Sequence, residues 1–214
     1  PCLVDAELLA TVKTAALVEG NSQDYVRYLH NVFSDDLLFL PQISQWGAEE
    51  AQHGKALGRW AEAIDAGFEF APRLDRFREG YQIPINSEAS VRGSLAGELL
   101  ARCVVESGTC SFYAAIRDHT REPILRQICH YIAQDEARHY QLFFTQYKHY
   151  RSRVKIGILQ RLRIALGRVM EADDDELAFA YFSANTEPGG ERATYDRRDC
   201  WRAYQRGAMG VYRR

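Results

Sequence analysis

The chain of 214 residues contains no Cys-x-x-Cys pair, and its five cysteines (Cys2, Cys103, Cys110, Cys129 and Cys200) are odd in number. This excludes a rubredoxin-type thiolate iron site and argues against a disulfide framework, so reduced cysteines in a cytoplasmic protein are expected. No apolar run reaches the roughly 18 residues that a membrane span needs, so no span is expected. The start, Pro1-Cys2-Leu3-Val4-Asp5, lacks the pattern of a signal peptide and reads as a trimmed terminus. Net charge is also scarce: a balance of −2 leaves no basic excess of the kind nucleic acid attracts. What is present, 46% hydrophobic and 26% charged residues, is the composition of a globular protein. The length suits one domain with a helical appendage.

The informative stretch runs from Ile132 to His139, where Glu136 and His139 sit three residues apart. On a helix they project from one face, one above the other, and can bind one metal ion together. Trp46 to His53 repeats the arrangement with Glu50 and His53. With 6 His in 214 residues, composition alone gives about half a match to Glu-x-x-His, so one copy means little. Here two copies occur, and each is preceded by an apolar-segment Glu at nearly the same distance. Glu19 lies 31 residues before Glu50, and Glu106 lies 30 before Glu136. That is one helix, a turn and a return helix. A bundle with two Glu-x-x-His helices and one further Glu from each of two others makes a di-iron or di-manganese site. The expected fold is therefore all-α, a four-helix bundle over residues 1–150 around two metal ions, with residues 151–214 a helical C-terminal extension packed on it.

Apolar spacing of three and four predicts a first helix over about 5–33, weakened at Gly20-Asn21-Ser22 beside Glu19. The second runs from about 36 or 42 to 66, with Trp46 one turn before Glu50. A connection over 67–88, with one helical turn near Leu74, crosses to a third helix of about 88–118 capped by Asn86-Ser87-Glu88. On its stripe Cys103 and Cys110 flank Glu106; as free cysteines they read as small buried hydrophobes or as walls of the site. Thr109, one turn after Glu106, can offer a hydroxyl to an oxygen species on the metals. The fourth helix spans about 122–150. His119, His130 and His149 have no matching carboxylate and read as surface or satisfied residues. Asp135 projects sideways from Glu136 and is expected to accept the outer N–H of His53, while Glu49 does the same for His139; such carboxylates fix a histidine's tautomer and orientation. Arg151 to Arg168 reads as a basic amphipathic helix, either packed with a solvated basic face or docking an acidic partner or membrane surface. Glu171 to Glu176 reads as an acidic helix start, Pro188-Gly189-Gly190 as a break, and 191–214 as a tail without chemistry.

Two segments resemble the soluble acyl-carrier-protein desaturases, within the ferritin-like di-iron carboxylate superfamily. They are Trp46-x-x-Glu49-Glu50-x-x-His53-Gly54 and Leu125-x-x-Ile128-x-x-x-Ile132-Ala133-x-Asp135-Glu136-x-Arg138-His139. Glu106 and Thr109 match that family's Glu and Thr three apart, and the region of Glu19 to Tyr25 is nearly as similar to aldehyde-deformylating oxygenases. The resemblance covers about residues 10–150, and the chain is much shorter than those desaturases. It implies a ferritin-like bundle holding two iron ions, with manganese the alternative in either position, through Glu19, Glu50, His53, Glu106, Glu136 and His139. It also implies Thr109 beside bound oxygen, with Glu49, Asp135 and Trp46 around the ligands. The activity implied is O₂-dependent oxidation, by desaturation or hydroxylation, of an apolar, acyl-type substrate. An external electron donor such as ferredoxin is implied, with acyl carrier protein and a second copy of the chain as candidate partners. The competing expectation from the same six residues is iron oxidation or peroxide removal, as in ferritins and rubrerythrins. An elongated apolar cavity at the metals would favour the oxygenase, and a closed core would favour iron handling.

Overall fold

The computed structural model describes residues 4–153, 156–170, 175–187 and 194–213. Among them the fold is all-α, with nine helices and no strand. Four helices carry the six residues singled out above: α1 (Ala6–Gly20), α3 (Leu40–Ile64), α5 (Leu95–His119) and α6 (Pro123–Arg153). α1 packs along α3 and α5 along α6, and α3 meets α6, so two antiparallel hairpins face each other.

Local chemistry explains the ends of these helices. Asp5 Oδ1 accepts the N–H of Leu8 at 2.7 Å and starts α1; Ser94 Oγ accepts the N–H of Gly97 and starts α5. Glu122 accepts the N–H groups of Leu125 and Ile124 at the start of α6, and also the indole N–H of Trp60 at 2.7 Å, tying α6 to α3. Pro41 occupies the first turn of α3, where a missing N–H leaves no partner unsatisfied.

Several boundaries differ from expectation. The first helix is two: α1 ends at Gly20, and α2 (Ser22–Val32) follows after Asn21, whose N–H reaches the carbonyls of Leu17 and Val18. The connection after α3 holds a full helix, α4 (Phe70–Gly80), whose Leu74 and Phe77 pack with Leu17 of α1 and Ala180 of α8. The third long helix starts at Leu95, not 88, because residues 88–94 are held by tertiary bonds: the Val91 N–H donates to Tyr28 Oη, and Ser90 Oγ to Glu98. Gly93, at φ +78°, makes the turn into the Ser94 cap. α5 also contains an 18-residue stretch of mean hydropathy 1.2, long and apolar enough to cross a membrane by composition, although polar residues interrupt it. Its buried face carries Glu98 and Glu106 and packs on α6 and α7, as a core helix does. The basic stretch 151–168 is divided: its first residues finish α6, and α7 (Ile158–Met170) starts after Gly157. α8 (Asp175–Asn185) and α9 (Arg197–Gly210) lie against α1. The segments Pro1 to Leu3, Glu171 to Asp174 and Pro188-Gly189-Gly190 lie outside the described residues.

The interior contains two large apolar blocks. One gathers Val12, Leu57, Trp60, Tyr113, Ile116, Leu125 and Ile132. The other gathers Phe33, Phe39, Trp46, Leu99, Cys103, Phe143 and Tyr147. Along α3, Glu50 and His53 fall between Trp46 of the second block and Leu57 of the first. Along α6, Glu136 and His139 fall between Ile132 and Phe143. The two blocks thus leave one polar layer across the middle of the four helices.

Candidate metal centre

All six candidate ligands are buried in that layer. They form two four-residue groups: Glu19, Glu50, His53 and Glu136, and Glu50, Glu106, Glu136 and His139. Within each group the potential ligand atoms lie within 4.8 Å of one another, so each group could hold a metal ion. Glu50 and Glu136 belong to both, and the two imidazole rings are 5.8 Å apart. His53 Nδ1 lies 3.4 Å from Glu136 Oε1 and 3.8 Å from Glu19 Oε2. His139 Nδ1 lies 2.9 Å from Glu50 Oε1 and 3.7 Å from Glu106 Oε2.

Whether a cation suits this layer is tested by the atoms left without hydrogen-bond partners. Nδ1 of His53, Nδ1 of His139, and Oε1 of Glu50, Glu106 and Glu136 are all buried, and although His139 Nδ1 and Glu50 Oε1 are in ion-pair contact, none of the five makes an aligned hydrogen bond. An orphaned buried polar atom is costly, and here five of them converge on one layer. Each is an atom type that ligates a transition-metal ion, and carboxylate with imidazole is the donor mixture that iron, manganese or zinc accepts. The residues therefore fit a pair of metal ions.

The outer nitrogens are already engaged. His53 Nε2 is 3.0 Å from Asp135 Oδ2, and His139 Nε2 is 2.8 Å from Glu49 Oε2. With the Nε2 proton held by a carboxylate, loss of the Nδ1 proton leaves a lone pair directed at the cluster. Both contacts run between hairpins, from α3 to α6. Arg138, a motif residue to which no role was assigned, lies 2.5 Å from Asp135 Oδ1 and 4.0 Å from Glu49 Oε2 and so stands between the two carboxylates. Its position three residues after Asp135 was the available signal.

Without cations, protons balance the layer. Burial, with the charges of Glu19 and Glu136, pushes Glu50 well above the carboxylate range. Burial, with Glu19 and Glu106, raises Glu136 to about 8. Burial also works to raise Glu19, but hydrogen bonds involving Glu50, His53 and Tyr113 outweigh it and hold that carboxyl at about 2. For His53, burial opposes the charged ring, yet Glu136, Glu19 and Asp135 carry its pKa up to about 11. His139 is raised in the same way, its burial outweighed by Glu106 and Glu136.

Thr109 Oγ1 donates to Glu136 Oε2 at 2.5 Å, so its hydroxyl is held by a candidate ligand. Tyr113, unforeseen although it lies on the Glu106 stripe, donates to Glu19 Oε1 at 2.5 Å. Trp46 packs edge-on against Phe143 at 5.4 Å, between the layer and the second apolar block. Cys103 is packing material: burial and Glu106 push its thiol up to about 12. Cys110 donates to the carbonyl of Ala133 on α6. His130 and His149 are exposed, and His119 is half-buried.

A cavity of about 70 Å³ adjoins the layer, lined by Glu19, Trp46, Glu50, Glu106, Thr109 and Glu136, and by neither Cys103 nor Cys110. A second, of about 160 Å³, shares Tyr25, Arg102, Val105, Arg168 and Glu176 with it. Between them the Tyr25 hydroxyl donates to both oxygens of Glu176, at 2.8 and 2.9 Å, and the Arg102 guanidinium stacks 4.6 Å from the Tyr25 ring. The C-terminal extension thus supplies a charged side chain at the approach to the layer, which its composition did not reveal.

Asp135→Ala is expected to leave the fold intact, since the side chain is only half-buried, and to weaken metal binding about 10- to 100-fold. Competition with a chelator of known affinity measures this, and unchanged affinity would reduce Asp135 to a solvated helix residue.

Comparison of the chain with protein-family models, with curated proteins and with solved structures gives no match.

Proposed function

We propose that the chain is a ferritin-like four-helix-bundle protein with a di-iron carboxylate centre, an oxidoreductase that reduces O₂ or peroxide. The observation that carries this reading is the pair of buried groups sharing Glu50 and Glu136, with histidine nitrogens and carboxylate oxygens free of aligned hydrogen bonds and directed at one layer. Glu19 and His53 would serve one ion, Glu106 and His139 the other, and Glu50 and Glu136 both. When bound, the irons supply the electrons that reduce O₂ or peroxide.

The chain's own residues set the conditions. Asp135 and Glu49 hold the histidines by their outer nitrogens. Tyr113 and Thr109 each hold one carboxylate oxygen, of Glu19 and Glu136, and so fix where those side chains point. Trp46, Val18 and Val105 line the adjoining cavity and limit the water that reaches the layer.

The size of that cavity bears on the substrate. About 70 Å³ is far below the roughly 300–1,000 Å³ of pockets that bury larger organic ligands, and its approach sets the charges of Arg102, Arg168 and Glu176 among Ile83, Val91 and Val105. It accommodates O₂, peroxide or a small ion, which favours iron oxidation or peroxide removal over oxidation of an acyl chain. The acyl reading keeps the support of the motifs around His53 and His139, and it requires the Tyr25–Glu176 contact to open.

The two separate in one experiment. The protein is loaded anaerobically with Fe²⁺ and given O₂ or hydrogen peroxide, with and without acyl substrates and a chemical reductant. The expected result is oxidant consumption faster than by free iron, with no organic product. An oxidised acyl product would restore the second reading, and consumption no faster than by free iron would remove both.

A further inference from the structure

A surface helix ordinarily turns its apolar stripe inward. α7 does the opposite. Its Ile164 faces α5, close enough that a Cβ on Gly97 would lie 3.1 Å from Ile164 Cδ1. On the other side Ile158, Leu159, Leu162 and Leu166 are 67, 82, 53 and 60% exposed. At 3.6 residues per turn these four fall within an arc of about 100°, and the arc points away from Ile164. Arg161 flanks it on one edge and the exposed Arg163 on the other.

The chain that leads into and forms this face is basic. No Asp or Glu occurs between Glu136 and Glu171, a stretch that includes Lys148, Arg151, Arg153, Arg161 and Arg163. Lys148, Arg151 and Arg161 line a single depression where α6 gives way to α7. A second apolar element lies at the same end: Leu37 and Leu38, 76 and 85% exposed, in the turn between α2 and α3. That turn is fastened to α6 by the Tyr150 hydroxyl, which donates to Asp36 at 2.8 Å. Ile156, just before α7, packs in the same block as Phe33, Phe39 and Tyr150. Acids at this end include Asp35 and Asp36 in the turn and the buried Glu98, next to Gly97.

We propose that this end of the molecule, with the outward face of α7 at its centre, docks on an anionic lipid bilayer. The bilayer interface offers what both observations need, acyl surface for exposed aliphatic side chains and negative headgroups for the arginines flanking them. A second copy of the chain meets only the first need, because two-fold pairing through this face sets one cationic rim against another. An acidic protein surface meets only the second. The proposal is independent of the metal reading.

Flotation of the full chain with phosphatidylcholine vesicles, with and without about one-third phosphatidylserine, tests it. The chain is expected to float with the anionic vesicles only, and less in high salt. Leu159→Glu with Leu162→Glu is expected to lower partitioning roughly tenfold or more, and Arg151→Gln with Arg163→Gln by a similar factor. These positions are exposed, so helicity and metal content should not change. No flotation with anionic vesicles, equal flotation with neutral ones, or a leucine variant that binds like the wild type would overturn the proposal. A concentration-dependent dimer that the leucine variant abolishes, without vesicle binding, would assign the face to a second copy and overturn it equally.

Discussion

In His139→Ala, metal capacity is expected to fall from two ions per chain to one at most. His139 provides the nitrogen donor of its group, and the remaining members, Glu50, Glu106 and Glu136, are all carboxylates. The same loss should appear as stability. Each ion present at 100 times its dissociation constant stabilises the folded state by about 2.7 kcal/mol, and 1 kcal/mol shifts the melting temperature of a chain this size by about 2–4 °C. Two ions should therefore raise the wild-type melting temperature by roughly 10–20 °C, and the variant should show half of that or less. The shift should also grow with pH. Glu136, raised to about 8, and His53, raised to about 11, bind protons more tightly folded than unfolded. Their contribution to the metal-free fold is complete below their unfolded values, near 4.5 and 6.5. It is lost as pH rises through the folded ones. Metal must displace those same protons, so binding strengthens as pH rises. Metal analysis and calorimetry at pH 6 and pH 8 decide the matter. Two ions retained by the variant would remove His139 from the ligand set, and a metal-induced shift that shrinks between pH 6 and 8 would contradict proton displacement.

Gly54→Ala is expected to lower stability by about 1–3 kcal/mol, and to weaken the Glu19–His53 half of the centre selectively. A Cβ at Gly54 would lie 2.5 Å from Gly20 N, 2.7 Å from Gly20 Cα and 2.8 Å from Ala16 O. All three are backbone atoms of α1, so no rotamer change relieves the clash, and the helix itself must move. Glu19 precedes Gly20, and His53 precedes Gly54, so the displacement falls on two facing ligands. The gain of up to about 1 kcal/mol from replacing glycine inside a helix is too small to offset this. Gly108→Ala is the control: it lies on exposed α5 surface with nothing within 4 Å of its added Cβ, and should be neutral or stabilising. A Gly54→Ala protein that melts at or above the wild-type temperature, with both ions bound, would show that the α1–α3 contact is slack.

The four helices that bring the six residues together were readable because their signal is periodic and local: Glu50 with His53, Glu136 with His139, and two glutamates one hairpin earlier. The cross-hairpin partners were readable too, since Glu49 and Asp135 lie about 100° round the helix from an inward glutamate, within reach of the facing histidine. What escaped depends on tertiary contact. Residues 88–94 contain acceptable helix formers, and only their bonds to Tyr28 and Glu98 show why the helix waits for Ser94. α4 carries Phe70, Leu74 and Phe77 at helical spacing with Pro72 among them; three residues into the helix, a proline costs no hydrogen bond. Glu176 looked like an ordinary acid at a helix start. Its bond to Tyr25, 151 positions away, is invisible to any local pattern.

Neither hairpin contains a complete site. The Glu19–His53 group borrows Glu136 from the second hairpin, and the Glu106–His139 group borrows Glu50 from the first. The outer nitrogen of each histidine is likewise held from the opposite side, by Asp135 for His53 and by Glu49 for His139. A half-folded chain therefore offers a metal ion only a broken set of donors with unfixed histidines. If the layer holds two ions as proposed, each would span both hairpins and so fasten them together.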